Sequence, residues 1–340
     1  LVCSPTGSSR YTMWTGRAGL TFQATEDWMI YGSIAYGEKP GGLLLLTPQL
    51  AVAGSVLITN TFDTETMTAY ELGAKGYFFD RRLSVDAAVY FNDWRQIVLR
   101  QLIDRDPVSG ERLEQTEGVN VNAGDATILG AEVSAAFNIT DFLTGTASIG
   151  WADAQLDNAR QDTFARFPTF RADCGTPPAT PDERKAWYEQ CDANSGDVSG
   201  NTMLRQPEWM SSASLSYRRP LAGQWDWYTR GDVSYQSDIY TGNDNQNWLP
   251  PHTYVNGKLG ISTDRYTVEL WGRNLFDDGH AIAAFRDIYL ANTSNLYPPY
   301  VDQGPRPNFD EFVPFRYSVT YPRERTWGIS ATVRFGEKYQ

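Results

Sequence analysis

Leu83-Ser-Val-Asp-Ala-Ala-Val-Tyr-Phe-Asn92 decides the fold. Leu83, Val85, Ala87, Val89 and Phe91 alternate with Ser84, Asp86, Ala88, Tyr90 and Asn92, which is the period-two signature of a strand with one apolar and one polar face. Two further segments repeat it. Leu129–Ile139 places Leu129, Ala131, Val133, Ala135, Phe137 and Ile139 on one side, with Gly130, Glu132 and Ser134 in the gaps. Trp327, Ile329, Ala331, Val333 and Phe335 alternate with Gly328, Ser330, Thr332 and Arg334. None has the three- and four-residue spacing of an amphipathic helix.

Worked outward, the same rhythm predicts eleven strands, at 13–23, 28–38, 67–78, 83–102, 122–138, 142–158, 203–218, 224–240, 252–263, 266–276 and 324–335. Several exceed the five or six residues usual in soluble sheets. Their connections alternate strictly. Short turns are expected at Ala24–Asp27, Phe79–Arg82, Thr140–Asp141, Arg219–Gly223 and Thr263–Arg265. Long polar loops are expected at Lys39–Thr66, Ile103–Val121, Ala159–Thr202, Thr241–Pro251 and Asp277–Arg323. All long loops at one end, with strands of about ten residues, describe an outer-membrane barrel rather than a sandwich or propeller. Aromatics near the strand ends, among them Trp14, Phe22, Trp28, Tyr36, Trp94 and Trp209, fit the interfacial girdles of such barrels.

Composition agrees. The 340 residues carry 29 basic and 41 acidic side chains, a net charge of −12, which argues against a nucleic-acid partner. No stretch approaches the ~20 consecutive apolar residues of a membrane-spanning helix. With 11 Trp, 19 Tyr and 16 Phe, the chain is too aromatic for intrinsic disorder. Leu1 is not a methionine and no signal segment follows it, so the chain reads as processed, truncated or part of a longer protein. Cys174 and Cys191 flank a polar, Pro-rich segment and are expected to form a disulfide, two free thiols being the alternative. Cys3 is left over.

Several segments resemble the TonB-dependent receptors, the plugged importers of Gram-negative outer membranes. Trp28–Gly42 is similar to that family's strand running into a Gly-x-Lys-Pro-Gly-Gly loop entry, and Tyr70-Glu-Leu-Gly-Ala-Lys-Gly76 resembles its hairpin. Asn122–Glu132 resembles its Asn-Ala-Gly strand, Leu270–Asp277 its Gly-x-Asn-Leu-Phe-Asp strand end, and Arg325–Phe335 its terminal strand. Five residues, Gly336 to Gln340, follow the terminal aromatic at which many members stop. The motifs occur in family order and cover the C-terminal half of such a receptor. The resemblance implies an all-β transmembrane barrel in which residues 1–340 supply about eleven C-terminal strands of about 22 around a plugged lumen. It places the plug domain and the energy-coupling box outside this chain. It implies a bacterial outer-membrane importer of a scarce ligand, a siderophore, saccharide or similar. Its partners would be a TonB-type energy-coupling protein acting through the plug, the missing N-terminal barrel half, the lipid bilayer with its lipopolysaccharide, and a surface lipoprotein. The alternatives are a passive porin-like channel and a surface binding module.

Chemistry within the chain is sparse. His252 and His280 are the only histidines, neither sits beside a nucleophile motif, and no zinc spacing occurs, so no enzyme activity, metal or cofactor is expected. Asn243, Asp244, Asn245 and Asn247 offer oxygen ligands for calcium, against a solvated Asx-rich turn. Glu71, Lys75, Asp86, Glu132, Lys258, Glu269, Arg273 and Arg334 fall on the inward, lumen-facing side, read as wall-to-plug ion pairs rather than substrate contacts. The final loop carries Tyr289, Tyr297, Tyr300, Phe309, Phe312, Phe315 and Tyr317, which could stack on a planar ligand or pack the loop on itself.

Overall fold

The computed structural model describes residues 8–46, 58–105, 112–161, 183, 196–287 and 316–335. In chain order the strands are β1 (Gly16–Gln23), β2 (Trp28–Lys39), β3 (Gly42–Leu46), β4 (Ile58–Phe62), β5 (Glu65–Phe78), β6 (Leu83–Arg105), β7 (Arg112–Asn138), β8 (Leu143–Asp157) and β9 (Trp209–Ala222). They continue with β10 (Trp225–Gln236), β11 (Ile239–Tyr240), β12 (Trp248–Leu249), β13 (His252–Ser262), β14 (Tyr266–Arg273), β15 (Ala283–Asp287), β16 (Arg316–Thr320) and β17 (Thr326–Val333).

Eleven of them form one antiparallel sheet in the order β1-β2-β5-β6-β7-β8-β9-β10-β13-β14-β17. Every neighbour in the sheet follows the last in sequence, so the sheet is a meander. β1 and β17 are its two ends and are not paired with each other. The remaining strands make three two-stranded hairpins, β3–β4, β11–β12 and β15–β16, all at the long-loop end. The sequence reading placed these segments in loops, except β11, which it included at the end of the strand 224–240.

The register sorts the faces. Leu72, Val89, Ala131 and Trp151 stand opposite one another across four strands, as do Leu259, Leu270 and Ile329 across three. Most of these are well exposed, Ile329 at 74%. Three residues along, and so on the other face, Lys75, Asp86, Ser134, Ser148, Ser212, Ser234 and Tyr254 form a row across seven strands. An apolar face without a covering layer, backed by a polar one, is the pattern of a wall between lipid and a wet interior. Aromatic contacts gather at both rims of the apolar face. Trp28–Phe78 (4.9 Å) and Tyr217–Trp227 (5.1 Å) lie at the short-turn end, and Trp14–Tyr36 (4.8 Å) and Trp151–Trp209 (6.4 Å) at the other.

Some boundaries differ from expectation. The strand read as 203–218 spans Trp209–Ala222, and the turn follows at Gly223, whose φ is +59°. Arg218-Arg219-Pro220 looks like a turn, but at a strand's last pairs a proline needs no ladder donor. β6 and β7 run to Arg105 and from Arg112, so the expected loop 103–121 is largely strand. Gln96 (φ +58°) forms a bulge between them. The Asp125 carboxylate accepts its N–H at 2.9 Å, and the Asn122 amide donates to its carbonyl at 2.8 Å.

Candidate functional site

Two regions carry polar organisation beyond what the ladder needs, namely the polar face of the sheet and the rim at the long-loop end.

On the polar face, alternation sets Glu71, Lys75, Asp86, Glu132, Lys258, Glu269, Arg273 and Arg334 on the side opposite the apolar one. Lys75 and Asp86 approach to 3.6 Å. Toward the short-turn end, Arg218, Tyr228, Arg230, Lys258, Glu269 and Arg334 border a basin of about 820 Å³. The Tyr228 hydroxyl donates to Glu269 at 2.7 Å, and Lys258 reaches the same carboxylate at 3.6 Å. The Arg218 guanidinium lies 4.9 Å from the Tyr228 ring centre and donates to Ser262 at 3.0 Å. Arg230 pairs with Asp232 at 2.7 Å. Arg273 stacks on Trp271 at 5.3 Å, and it and Arg334 make no ion pair among the described residues.

The large rings lie flat because glycines face them. A Cβ at Gly73 would meet the Tyr31 ring at 2.4 Å, one at Gly130 the Tyr90 ring at 2.2 Å, and one at Gly260 the Tyr228 ring at 2.7 Å. Each tyrosine stands directly opposite its glycine. The device keeps the wall smooth while its carboxylates stay on view. Sequence reasoning singled out the charges but not these tyrosines, whose pairing with glycine depends on the register between strands.

At the rim, segment 196–205 turns back along β8 and covers an apolar cluster of Ile97, Ala126, Leu156, Ala159 and Val198. Hairpins β11–β12 and β15–β16 meet through Ile239, Leu249 and Ala284. The Asn243–Asn247 run is a turn held by side-chain hydrogen bonds. The Asn243 Oδ1 accepts the N–H of Leu204 at 3.2 Å, and its amide donates to Gln161 at 3.1 Å. Asn243 is 2% exposed, and no group of metal-holding side chains occurs among the described residues.

Asp278 sits where β14 leaves the sheet. It accepts the Thr253 N–H at 2.7 Å, the His280 N–H at 3.0 Å, and a 2.7 Å contact from the His280 ring. Burial alone would raise its pKa, but these contacts outweigh it and hold the carboxyl below its ordinary value. Asn274, at φ +50°, completes the junction. Its amide donates to the carbonyls of Asp278 and Arg323, and its side-chain oxygen accepts the Asp278 N–H. Cys174, Cys191, Tyr289, Tyr297, Tyr300, Phe309, Phe312 and Phe315 lie outside the described residues.

Residues 3–275 match the family described as TonB dependent receptor-like, beta-barrel. The chain is 21% identical over 275 residues to the probable TonB-dependent receptor BfrD of Bordetella pertussis, covering 80% of this chain and 31% of that one. Its fold is similar to the ferric yersiniabactin uptake receptor FyuA from Yersinia pestis (TM-score 0.62, 16% identity, 95% of this chain and 37% of that one). It is also similar to the siderophore receptor PiuA from Acinetobacter baumannii (TM-score 0.57, 18% identity, 93% and 35%). The chain thus spans about a third of the length of these relatives.

Proposed function

The chain belongs to the TonB-dependent receptor family and is an outer-membrane β-barrel protein, and from that membership we propose that it serves an importer of a scarce ligand, carried out with energy from the inner membrane. Residues 1–340 act as the C-terminal part of a larger barrel. Its polar face lines the lumen and its long loops face outward. A plug carried on further polypeptide fills that lumen, and a TonB-type protein pulls on the plug. The family and its structural neighbours are transport receptors rather than enzymes.

The observation that carries this reading is the family match on a sheet whose apolar face is bare and whose polar face holds ion pairs on small residues. Two relatives are named as siderophore-related receptors, so a ferric chelate is the first ligand class to test. Within the lumen, Glu71, Lys75, Glu132, Glu269 and Arg273 face the plug. Outside, the aromatics Tyr289, Tyr297, Tyr300, Phe309 and Phe312 offer stacking surfaces to the ligand, with a surface lipoprotein as an alternative source of contacts.

The test is growth on a panel of ferric chelates under iron limitation, in cells with and without the energy-coupling protein. Growth promotion that disappears with the coupling protein is expected. Uptake that persists without it would make the protein a passive channel.

A further inference from the structure

We propose that, in their described parts (196–208, 237–251, and 283–287 with 316–320), the loops β8–β9, β10–β13 and β14–β17 are not three independent arms but one preorganised body, clasped by Asn243 and Asn245. The first loop is fixed at its returning end. Leu156 donates to the Asn201 carbonyl, and Met203 donates to the Ala154 carbonyl, both at 2.9 Å. Its next residues meet the second loop through side-chain amides that act as peptide groups. The Asn245 Oδ1 accepts the Thr202 N–H at 2.8 Å, while its Nδ2 donates to the Thr202 carbonyl at 2.8 Å. Asn243 receives the Leu204 N–H on its side chain and the Asn201 amide on its own carbonyl, the latter at 2.8 Å. An asparagine can both accept and donate, and it tolerates the left-handed φ of +51° at position 245.

The third loop is joined twice. Ile239 and Leu249 of the second loop bury Ala284 of β15. From the first loop, Arg205 donates its N–H to Tyr240 and sets its guanidinium 4.2 Å from the centre of the Phe285 ring. Each loop therefore touches both others, and a displacement of one is carried to the rest through packed, hydrogen-bonded contacts. Loop segments held in this way avoid the ordering cost that free segments would meet on capturing a ligand. That functional consequence rests on the importer reading; the coupling itself does not.

The experiment is hydrogen exchange on the full-length protein in outer-membrane vesicles, comparing wild type with Asn245→Asp. The substitution keeps size and the acceptor but removes the donor, setting a carboxylate against the Thr202 carbonyl. Exchange at Thr202 and Leu204 is expected to rise at least tenfold, exchange across β15–β16 to rise with it, and the β5–β6 amides to stay as in wild type. Faster exchange at Thr202 with β15–β16 unchanged would show independent loops, and no change anywhere would show that the clasp holds nothing; either overturns the proposal. If the variant assembles poorly, Arg205→Ala serves instead. It removes the direct contact between the first and third loops, so exchange across β15–β16 should rise at least threefold while the β5–β6 amides stay as in wild type. Unchanged exchange across β15–β16 would show that the third loop is independent of the first, and would equally overturn it. Growth on ferric chelates is a separate readout, so failure of the importer reading and failure of the clasp are distinguishable.

Discussion

Tyr228 on β10 crosses the whole of β13 to hold Glu269 on β14: its ring lies over Gly260, and its hydroxyl donates to the carboxylate at 2.7 Å. Three strands are tied by one side chain. Removing the hydroxyl with Tyr228→Phe is expected to cost about 1 kcal/mol. Gly260→Ala should cost more, about 2 kcal/mol, because its Cβ would meet the Tyr228 ring at 2.7 Å and the Val268 carbonyl at 2.8 Å, and that backbone cannot swing away. Heat-modifiability on gels, calibrated by thermal unfolding in detergent, ranks the two. A Gly260→Ala protein as stable as Tyr228→Phe would mean that the ring does not lie where it is drawn.

The two faces of β7 give a sharper contrast. Val133 pairs with Ala87 and Ile149 on the apolar face, and Ser134 pairs with Asp86 and Ser148 on the other. Val133→Arg should impair assembly, since a cation near the bilayer midplane costs ~2–4 kcal/mol. Ser134→Arg gains a carboxylate neighbour and should assemble near wild-type levels. Equal behaviour of the two would put the strand in the wrong register.

Much of this was legible in the sequence because a barrel wall must alternate wherever it crosses lipid. Leu83–Asn92 and Leu129–Asn138 announce both their strands and their faces. The pattern fails where lipid no longer enforces it. Before Asn122, β7 reads Gly118-Val-Asn-Val121, part of the segment read as a loop, yet it remains paired strand. Leu204 carries an apolar side chain just before β9, but its N–H is taken by Asn243 rather than by a neighbouring strand. The side of the sheet that carries the charges follows from parity alone. The tyrosine-over-glycine rows were not, since they depend on register across strands, which alternation within a strand does not specify.

The junction at Asp278 predicts a pH dependence. Its folded pKa lies below the ordinary 3.8, so its contribution to stability is complete above that value and is lost as pH falls through the folded pKa. Exchange at the Thr253 and His280 amides, which donate to this carboxylate, should be steady after correction for intrinsic rates from pH 7 to about pH 5. It should rise only below the ordinary carboxyl value. In Asp278→Ala the two amides should exchange fast throughout, with no such transition. A transition near neutrality in the wild type would rule out the Asp278 carboxyl as its source.

For the segment between β8 and the returning residues at 196, a Cys174–Cys191 disulfide is expected to remove roughly 3 kcal/mol of chain freedom from the unfolded state. Non-reducing peptide mapping of protein taken from the outer membrane should recover the two peptides joined. Recovery of both as free thiols would leave the segment without a crosslink.

The last prediction concerns the ends of the sheet. Among the described residues, β1 and β17 each have one neighbouring strand and a row of backbone N–H and carbonyl groups without a strand partner on the other side. Each unsatisfied group costs several kcal/mol in hydrocarbon, so an open eleven-stranded sheet cannot stand in a bilayer, and an antiparallel sheet of odd count cannot close on itself with all pairs antiparallel. Both edges must find partner strands beyond those described. Residues 1–340 expressed alone with an export signal should therefore fail to give a heat-modifiable, protease-resistant species in the outer membrane. Expression of the longer polypeptide should restore it, with the outer-edge amides of β1 and β17 protected from exchange. A stable small barrel from the 340 residues alone, with β1 bonded to β17, would remove the larger barrel and with it the plugged importer that depends on it.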